Sequence, residues 1–202
     1  MTSRLVLATR NAHKVGELRA ILADAGLAVD LVGMDAFPDV ADVVEDGLTF
    51  AANAVKKARA AVAGTGLPAV ADDSGLCVDV LNGMPGVFSA RWAGRHGDDS
   101  ANLELLLAQL VDVPVDHRGA HFACAAALAL PTGEERVVEG RLEGVIIGAA
   151  RGSGGFGYDP VFLPHGSART TAEMPAQEKN AMSHRGNAFR ALAPVIRELF
   201  SL

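Results

Sequence analysis

The apolar positions change their period along the chain, and the changes mark the elements. Residues 4–8 form a short apolar run that predicts a buried strand. Over residues 14–25 the apolar positions are Val15, Leu18, Ile21, Leu22 and Ala25. That three-and-four spacing predicts a helix, with Gly26 as its C-cap. Residues 29–32 read as the next strand, and the acidic, β-branched stretch 40–46 as extended chain. The alanine-rich stretch 48–63 predicts a helix that stops near Gly64 and Gly66. Residues 69–71 read as a short strand leading into Asp72-Asp73-Ser74-Gly75. A second run follows over 76–81, with a turn at Asn82-Gly83.

Further on, Asp98, Asp99 or Ser100 can cap a helix running to about Leu110. Residues 120–130 and 135–139 flank Pro131-Thr132-Gly133, which signals a hairpin. Residues 152–160 read as a glycine-rich loop before a strand at 161–163. A last helix is expected over 187–199, bent or interrupted near Pro194. Strands and helices alternate early and a hairpin comes late, so the pattern predicts an α/β fold with a mixed sheet.

The length of 202 residues suits one domain over 1–202. The formal net charge of -6 argues against a grip on nucleic acid, which draws its affinity from Lys and Arg displacing counterions. A small phosphorylated ligand needs only a few local cations and stays open. Cys77 and Cys124 make no metal or redox spacing and read as reduced, buried hydrophobes. No apolar run approaches the roughly 18 residues that span a bilayer. The expectation is a soluble, cytoplasmic protein with no membrane partner.

Five stretches can carry chemistry. Thr9-Arg10-Asn11-Ala12-His13-Lys14 stands at a strand-to-helix junction, where free N–H groups and the positive helix end favour phosphate; an ordinary capped helix start explains it as well. Asp72-Asp73-Ser74-Gly75 sets two carboxylates at a strand's end, fit for magnesium or for an exposed turn. Glu45 precedes a helix on which Asn53 and Lys57, four apart, share a face; a solvated surface is the plainer account. Gly152-Ser153-Gly154-Gly155-Phe156-Gly157-Tyr158-Asp159-Pro160 contains a literal G-x-G-x-x-G. A strand rather than a helix is expected after it, so a dinucleotide site is rejected. The stretch can instead set Phe156 or Tyr158 against a base, or be a surface loop. Glu178-Lys179-Asn180-Ala181-Met182-Ser183-His184-Arg185-Gly186 gathers cations ahead of the last helix, as a site or as a charged loop.

In this order, the stretches resemble the inosine/xanthosine triphosphate pyrophosphatase family. The resemblance rests on Leu7 to Lys14, on Glu45-Asp46-Gly47-Leu48-Thr49-Phe50 and on Ala71-Asp72-Asp73-Ser74-Gly75-Leu76. Pro85-Gly86-Val87-Phe88-Ser89-Ala90-Arg91-Trp92, the segment Gly154 to Pro160 and Ser183-His184-Arg185-Gly186 complete it. It implies an elongated α/β fold, a mixed sheet flanked by helices, with two lobes around a central cleft and a homodimer. It implies magnesium-dependent hydrolysis of non-standard purine nucleoside triphosphates (ITP, dITP, XTP) to the monophosphate and pyrophosphate.

The resemblance places phosphate contacts on Thr9, Asn11, Lys14, Ser74 and Lys57, and Arg10, Ala12 and His13 of the same loop are expected among the substrate-binding residues. Magnesium falls on Glu45 and Asp73 with Asp72 nearby, and Asp73 is the general base. Base contacts fall on Phe156, Gly157, Tyr158, Asp159, Lys179, His184 and Arg185. A pyrophosphatase for modified pyrimidine nucleotides and a nucleotide-binding module without turnover are the rival readings.

Overall fold

The computed structural model describes residues 3–200, without the side chains of Ser3, Ala12, His13 and Phe200. Seven strands, β1 (Ser3–Leu7), β2 (Val29–Gly33), β3 (Ala69–Val78), β4 (Met84–Pro85), β5 (Gly119–Ala129), β6 (Glu135–Ile146) and β7 (Phe162–Pro164), form one sheet. Its order is β2-β1-β3-β5-β6-β7, with β4 paired to β3. β1 runs parallel to β2 and β3, whereas β4 and β7 run antiparallel to their neighbours, so the sheet is mixed. Five α-helices accompany it among the described residues: α1 (Ala12–Asp24), α2 (Phe50–Thr65), α3 (Asp99–Gln109), α4 (Ala176–Met182) and α5 (His184–Phe200).

The chain divides into two compact units. The first comprises Met1–Asp73, Cys124–Gly140 and His184–Leu202, and the second Ser74–Ala123 and Arg141–Ser183. Three of the boundaries fall inside β3, β5 and β6, and the fourth falls between α4 and α5.

In the first unit the strands bury both faces. Along β5, Cys124, Ala126 and Leu128 join Leu5, Leu7, Leu18, Leu22, Phe189 and Leu192 in one core. The alternate residues Ala125, Ala127 and Ala129 meet Ala54 and Ala58 of α2 in another. This is the period of two expected of a strand covered on both sides. Alanines on both partners let α2 lie close against the sheet. Thr49 caps α2 by accepting from Ala52 N at 3.1 Å, and Gly66, left-handed at φ 70°, ends it. The second unit packs Leu76, Leu106, Phe122, Ile146, Tyr158 and Phe162 together.

Three expectations are corrected. Asp72-Asp73-Ser74-Gly75 is not a break between strands, because β3 runs through it to Val78. Residues 178–186 are not a loop; apart from the extended Ser183 between them, they belong to α4 and α5. The last helix starts at His184 and continues past Pro194 without interruption.

Candidate active site

The parallel register decides where the first cluster forms. Leu7 pairs with Val70, and Ala8 N donates to Val70 O at 2.7 Å. The chain leaving β1 therefore turns beside the residues just past Val70, which are Asp72 and Asp73. Asn11 N donates to Thr9 Oγ1 at 3.2 Å and tightens that turn. From the first turn of α1, Lys14 Nζ donates to both Asp72 oxygens, at 3.2 and 3.0 Å. Arg185, at the start of α5, donates from Nε to Asp72 Oδ2 at 3.1 Å, and its Nη1 lies 3.7 Å from Glu17. Asp72 is 3% exposed. Burial alone would push its carboxyl up, but Lys14, Arg185 and Lys57 more than reverse this and hold it well below the usual carboxylate range. The guanidinium of Arg185 is in turn held above its ordinary value: burial opposes this, and Asp72 outweighs it.

Asp73 belongs to a second cluster built on α2. Lys57 Nζ donates to Glu45 Oε1 at 3.0 Å and stands 3.6 Å from Asp73 Oδ1. Asn53 Nδ2 donates to Asp73 Oδ2 at 2.9 Å. Burial raises the Asp73 carboxyl above its ordinary value; Lys57 and Asn53 oppose this, and Glu45 and Asp72 add to it. Beside the cluster lies a cavity of about 300 Å³ lined by Thr9, Arg10, Asp42, Glu45 and Lys57 among others. Arg10 shapes its wall, donating from Nη2 to Val40 O at 2.7 Å and from Nε to Asp42 Oδ1 at 3.1 Å.

The donors fit a magnesium ion. Glu45 and Asp73 already converge on one cation, the Lys57 ammonium, and magnesium commonly takes one or two carboxylates and fills its remaining positions with water and phosphate oxygens. Both Asp72 oxygens are engaged, by Lys14 and Arg185. Among the described residues no group of three or more His, Cys, Asp or Glu side chains is placed to hold a metal ion by itself.

The second unit holds its own cluster. Ser74 is its first residue in β3. The buried Asp159 accepts from Phe156 N at 2.8 Å, from Thr171 Oγ1 at 2.8 Å and from Lys179 Nζ. Lys179 Nζ also stands 4.9 Å from the centroid of the exposed Phe156 ring. Gly157 N donates to Asp99 Oδ2 at 2.8 Å. Tyr158 points into the core, its hydroxyl donating to Ser89 O at 2.9 Å, and burial pushes its phenol up. The glycine-rich stretch leads through a short 3-10 turn at Asp159–Val161 into β7, without the helix a dinucleotide site requires.

Lys14, Glu45, Lys57, Asp72, Asp73 and Arg185 thus lie together with Thr9 and Arg10 in the first unit. Phe156, Asp159 and Lys179 lie together in the second. His184 opens α5 beside Arg185. The side chains of Ala12 and His13 lie outside the described residues. Asp99 and Thr171 carried no local signal, since they reach Gly157 and Asp159 from 58 and 12 residues away. Asn53 had one, its four-residue spacing from Lys57.

An α/β chain whose charged residues gather where β1 ends, beside Asp72 and Asp73 within its parallel neighbour β3, has the layout of a ligand-handling enzyme rather than a scaffold. Residues 5–195 match the Ham1 family, and the chain belongs to that family. Over 197 residues, 98% of each chain, it is 71% identical to a Streptomyces coelicolor protein named dITP/XTP pyrophosphatase. The crystal structure of a nucleoside-triphosphatase / dITP/XTP pyrophosphatase from Mycobacterium abscessus superimposes with TM-score 0.81 at 53% identity, covering 96% of this chain and all of that one. A HAM1 protein from Coxiella burnetii gives TM-score 0.90 at 41% identity, covering 98% of this chain and all of that one.

Proposed function

We propose that the chain hydrolyses ITP, dITP and XTP between the α- and β-phosphates, releasing the monophosphate and pyrophosphate and so clearing non-standard purines from the nucleotide pool. The observation that carries this reading is the Glu45–Lys57–Asp73 cluster beside the Thr9–Lys14 turn, in a chain with a 71% identical relative named for this activity.

Thr9 and Asn11 bind the phosphate chain through their side-chain donors and Lys14 through its ammonium, with Lys57 as a further donor. Magnesium held by Glu45 and Asp73 would supply charge neutralisation on the phosphate oxygens. Asp73 takes a proton from water as the water oxygen attacks phosphorus. The P–O bond to the leaving group breaks, and its electron pair departs with pyrophosphate. Asp72 keeps Lys14 and Arg185 charged and in place.

Phe156 offers an exposed face for stacking the base, and Lys179 beside it offers a donor to a 6-keto oxygen, which adenine lacks. A site built on such hydrogen bonds can discriminate by up to about 10⁴-fold. The chain acts as a homodimer in the cytoplasm on this reading; no helix among the described residues is long and apolar enough to cross a membrane.

Incubation with magnesium and, separately, ITP, dITP, XTP, ATP, GTP and dUTP tests the proposal, with pyrophosphate and orthophosphate assayed apart. Pyrophosphate chiefly from the first three is the expected result. Orthophosphate release, equal use of ATP, or preference for dUTP would refute it.

A further inference from the structure

We infer that Asn53 is a positioning residue that sets Glu45 and Asp73 at the spacing a shared cation requires, an inference that rests on the function proposed above. Its side-chain amide is buried, with 1% of the residue exposed, and both ends are committed. Oδ1 accepts from Gly47 N at 2.7 Å, and Nδ2 donates to Asp73 Oδ2 at 2.9 Å. One side chain thus ties β3 to the stretch that carries Glu45.

That stretch needs such a tie. Residues 41–47 form neither helix nor strand, so no backbone ladder fixes where Glu45 stands. Side chains do it instead. Arg10 holds Val40 and Asp42, Lys57 holds Glu45, and Asn53 holds Gly47. Lys57 and Asn53 lie one helical turn apart on α2, and each touches both the 45–47 stretch and Asp73. The helix therefore serves as a rigid spacer between the two carboxylates.

Gly47 shows how closely the stretch is pressed onto α2. A Cβ at that position would stand 2.5 Å from Asn53 Oδ1 and 3.0 Å from Ala52 Cβ, so a larger residue would force the contact open.

The polarity of the amide matters as well. Its carbonyl must face the Gly47 N–H and its NH₂ the Asp73 carboxylate, so an isosteric aspartate would set two carboxylates together. Holding Oδ2 fixes the plane of the Asp73 carboxylate and turns Oδ1 towards Lys57 and Glu45. Partners that orient a metal's ligands are commonly worth tenfold or more in affinity.

The test compares the wild type with Asn53→Ala, Gly47→Ala and the double variant. Binding of Mn²⁺ alone is read from the free-ion EPR signal, and kcat and KM are measured with dITP and magnesium. Asn53→Ala is expected to weaken Mn²⁺ binding by about tenfold or more and to lower kcat by a similar factor. KM for dITP should stay within roughly threefold, since its phosphate contacts lie elsewhere. Gly47→Ala should reproduce the effect, and the double variant should be no worse than Asn53→Ala, because both act through one hydrogen bond.

Wild-type Mn²⁺ affinity and kcat in Asn53→Ala, with only a lowered melting temperature, would make Asn53 an ordinary core amide and overturn the inference. Additive losses in the double variant would do the same. Gly47→Ala, which leaves Asn53 in place, carries the test if Asn53→Ala does not fold. A wild type that releases no pyrophosphate from dITP would defeat the proposed function instead, while the Mn²⁺ comparison still stands.

Discussion

Replacing Asp72 by asparagine keeps the shape of the side chain and removes the charge that Lys14 and Arg185 share. The Asp72 side chain is 2% exposed, that of Arg185 10% and that of Lys14 24%. Breaking a buried ion pair by neutralising one member costs about 3–5 kcal/mol. Lys14 reaches water and Arg185 keeps Glu17 at 3.7 Å, so the lower end, about 3 kcal/mol, is expected. For a chain of this size that corresponds to a fall in Tm of about 6–12 °C.

The pH dependence follows from the direction of the shift. Burial raises the Asp72 carboxyl, but Lys14, Arg185 and Lys57 hold it well below its ordinary value. Its stabilising contribution is therefore complete above the unfolded value of about 3.9 and is lost as pH falls through the lower, folded one. Thermal melts by circular dichroism should show a deficit in Asp72→Asn that is constant from neutral to mildly acidic pH and shrinks in strong acid. A variant as stable as the wild type at neutral pH would refute the reasoning. So would a deficit that disappears on raising the pH.

Asp73 behaves in the opposite sense, because burial lifts its carboxyl pKa and ionising it in the folded chain costs stability. In EDTA, Asp73→Asn should melt with the wild type below the ordinary carboxylate range and above it once pH exceeds the raised value, while turnover is lost. Phe156→Ala removes an exposed ring whose stacking on a base is worth about 1–3 kcal/mol. KM for dITP in steady-state kinetics should rise by about tenfold with kcat little changed. A Cβ at Gly140 would collide with His184 O and Ala188 N, both backbone atoms of α5. Gly140→Ala should lose about 1–3 kcal/mol in denaturant unfolding. Gly16→Ala, inside α1 with nothing within 4 Å, should gain about 0.5–1 kcal/mol.

The strands and long helices were legible because their signals are local. Residues 14–25 repeat at helical spacing, and residues 120–130 are apolar enough to be buried on both faces. Asp72-Asp73-Ser74-Gly75 misled for a physical reason. These residues favour turns when nothing else satisfies their side chains, and here Lys14, Arg185, Lys57 and Asn53 satisfy the carboxylates and let β3 continue. Those partners come from three separate helices, which no local pattern reveals. The seven-residue α4 is too short and too polar to show a period. The tie from Asn53 to Gly47 was hidden because the extended stretch it holds has no hydrophobic signature of its own.

Arg185 reaches Asp72 across 113 residues of chain. At translation rates of about 5–20 residues per second, roughly 6–23 seconds separate the synthesis of the two. During that interval the growing chain already contains Asp72 and Lys14 but not the guanidinium that shares the buried charge. The completed ion cluster is thus a late event in biogenesis, and a ribosome that stalls before residue 185 leaves a product whose buried Asp72 carboxylate lacks one of its three cations. Proteases that survey newly made chains would meet that product as one with an unfinished centre, whatever the state of its earlier helices.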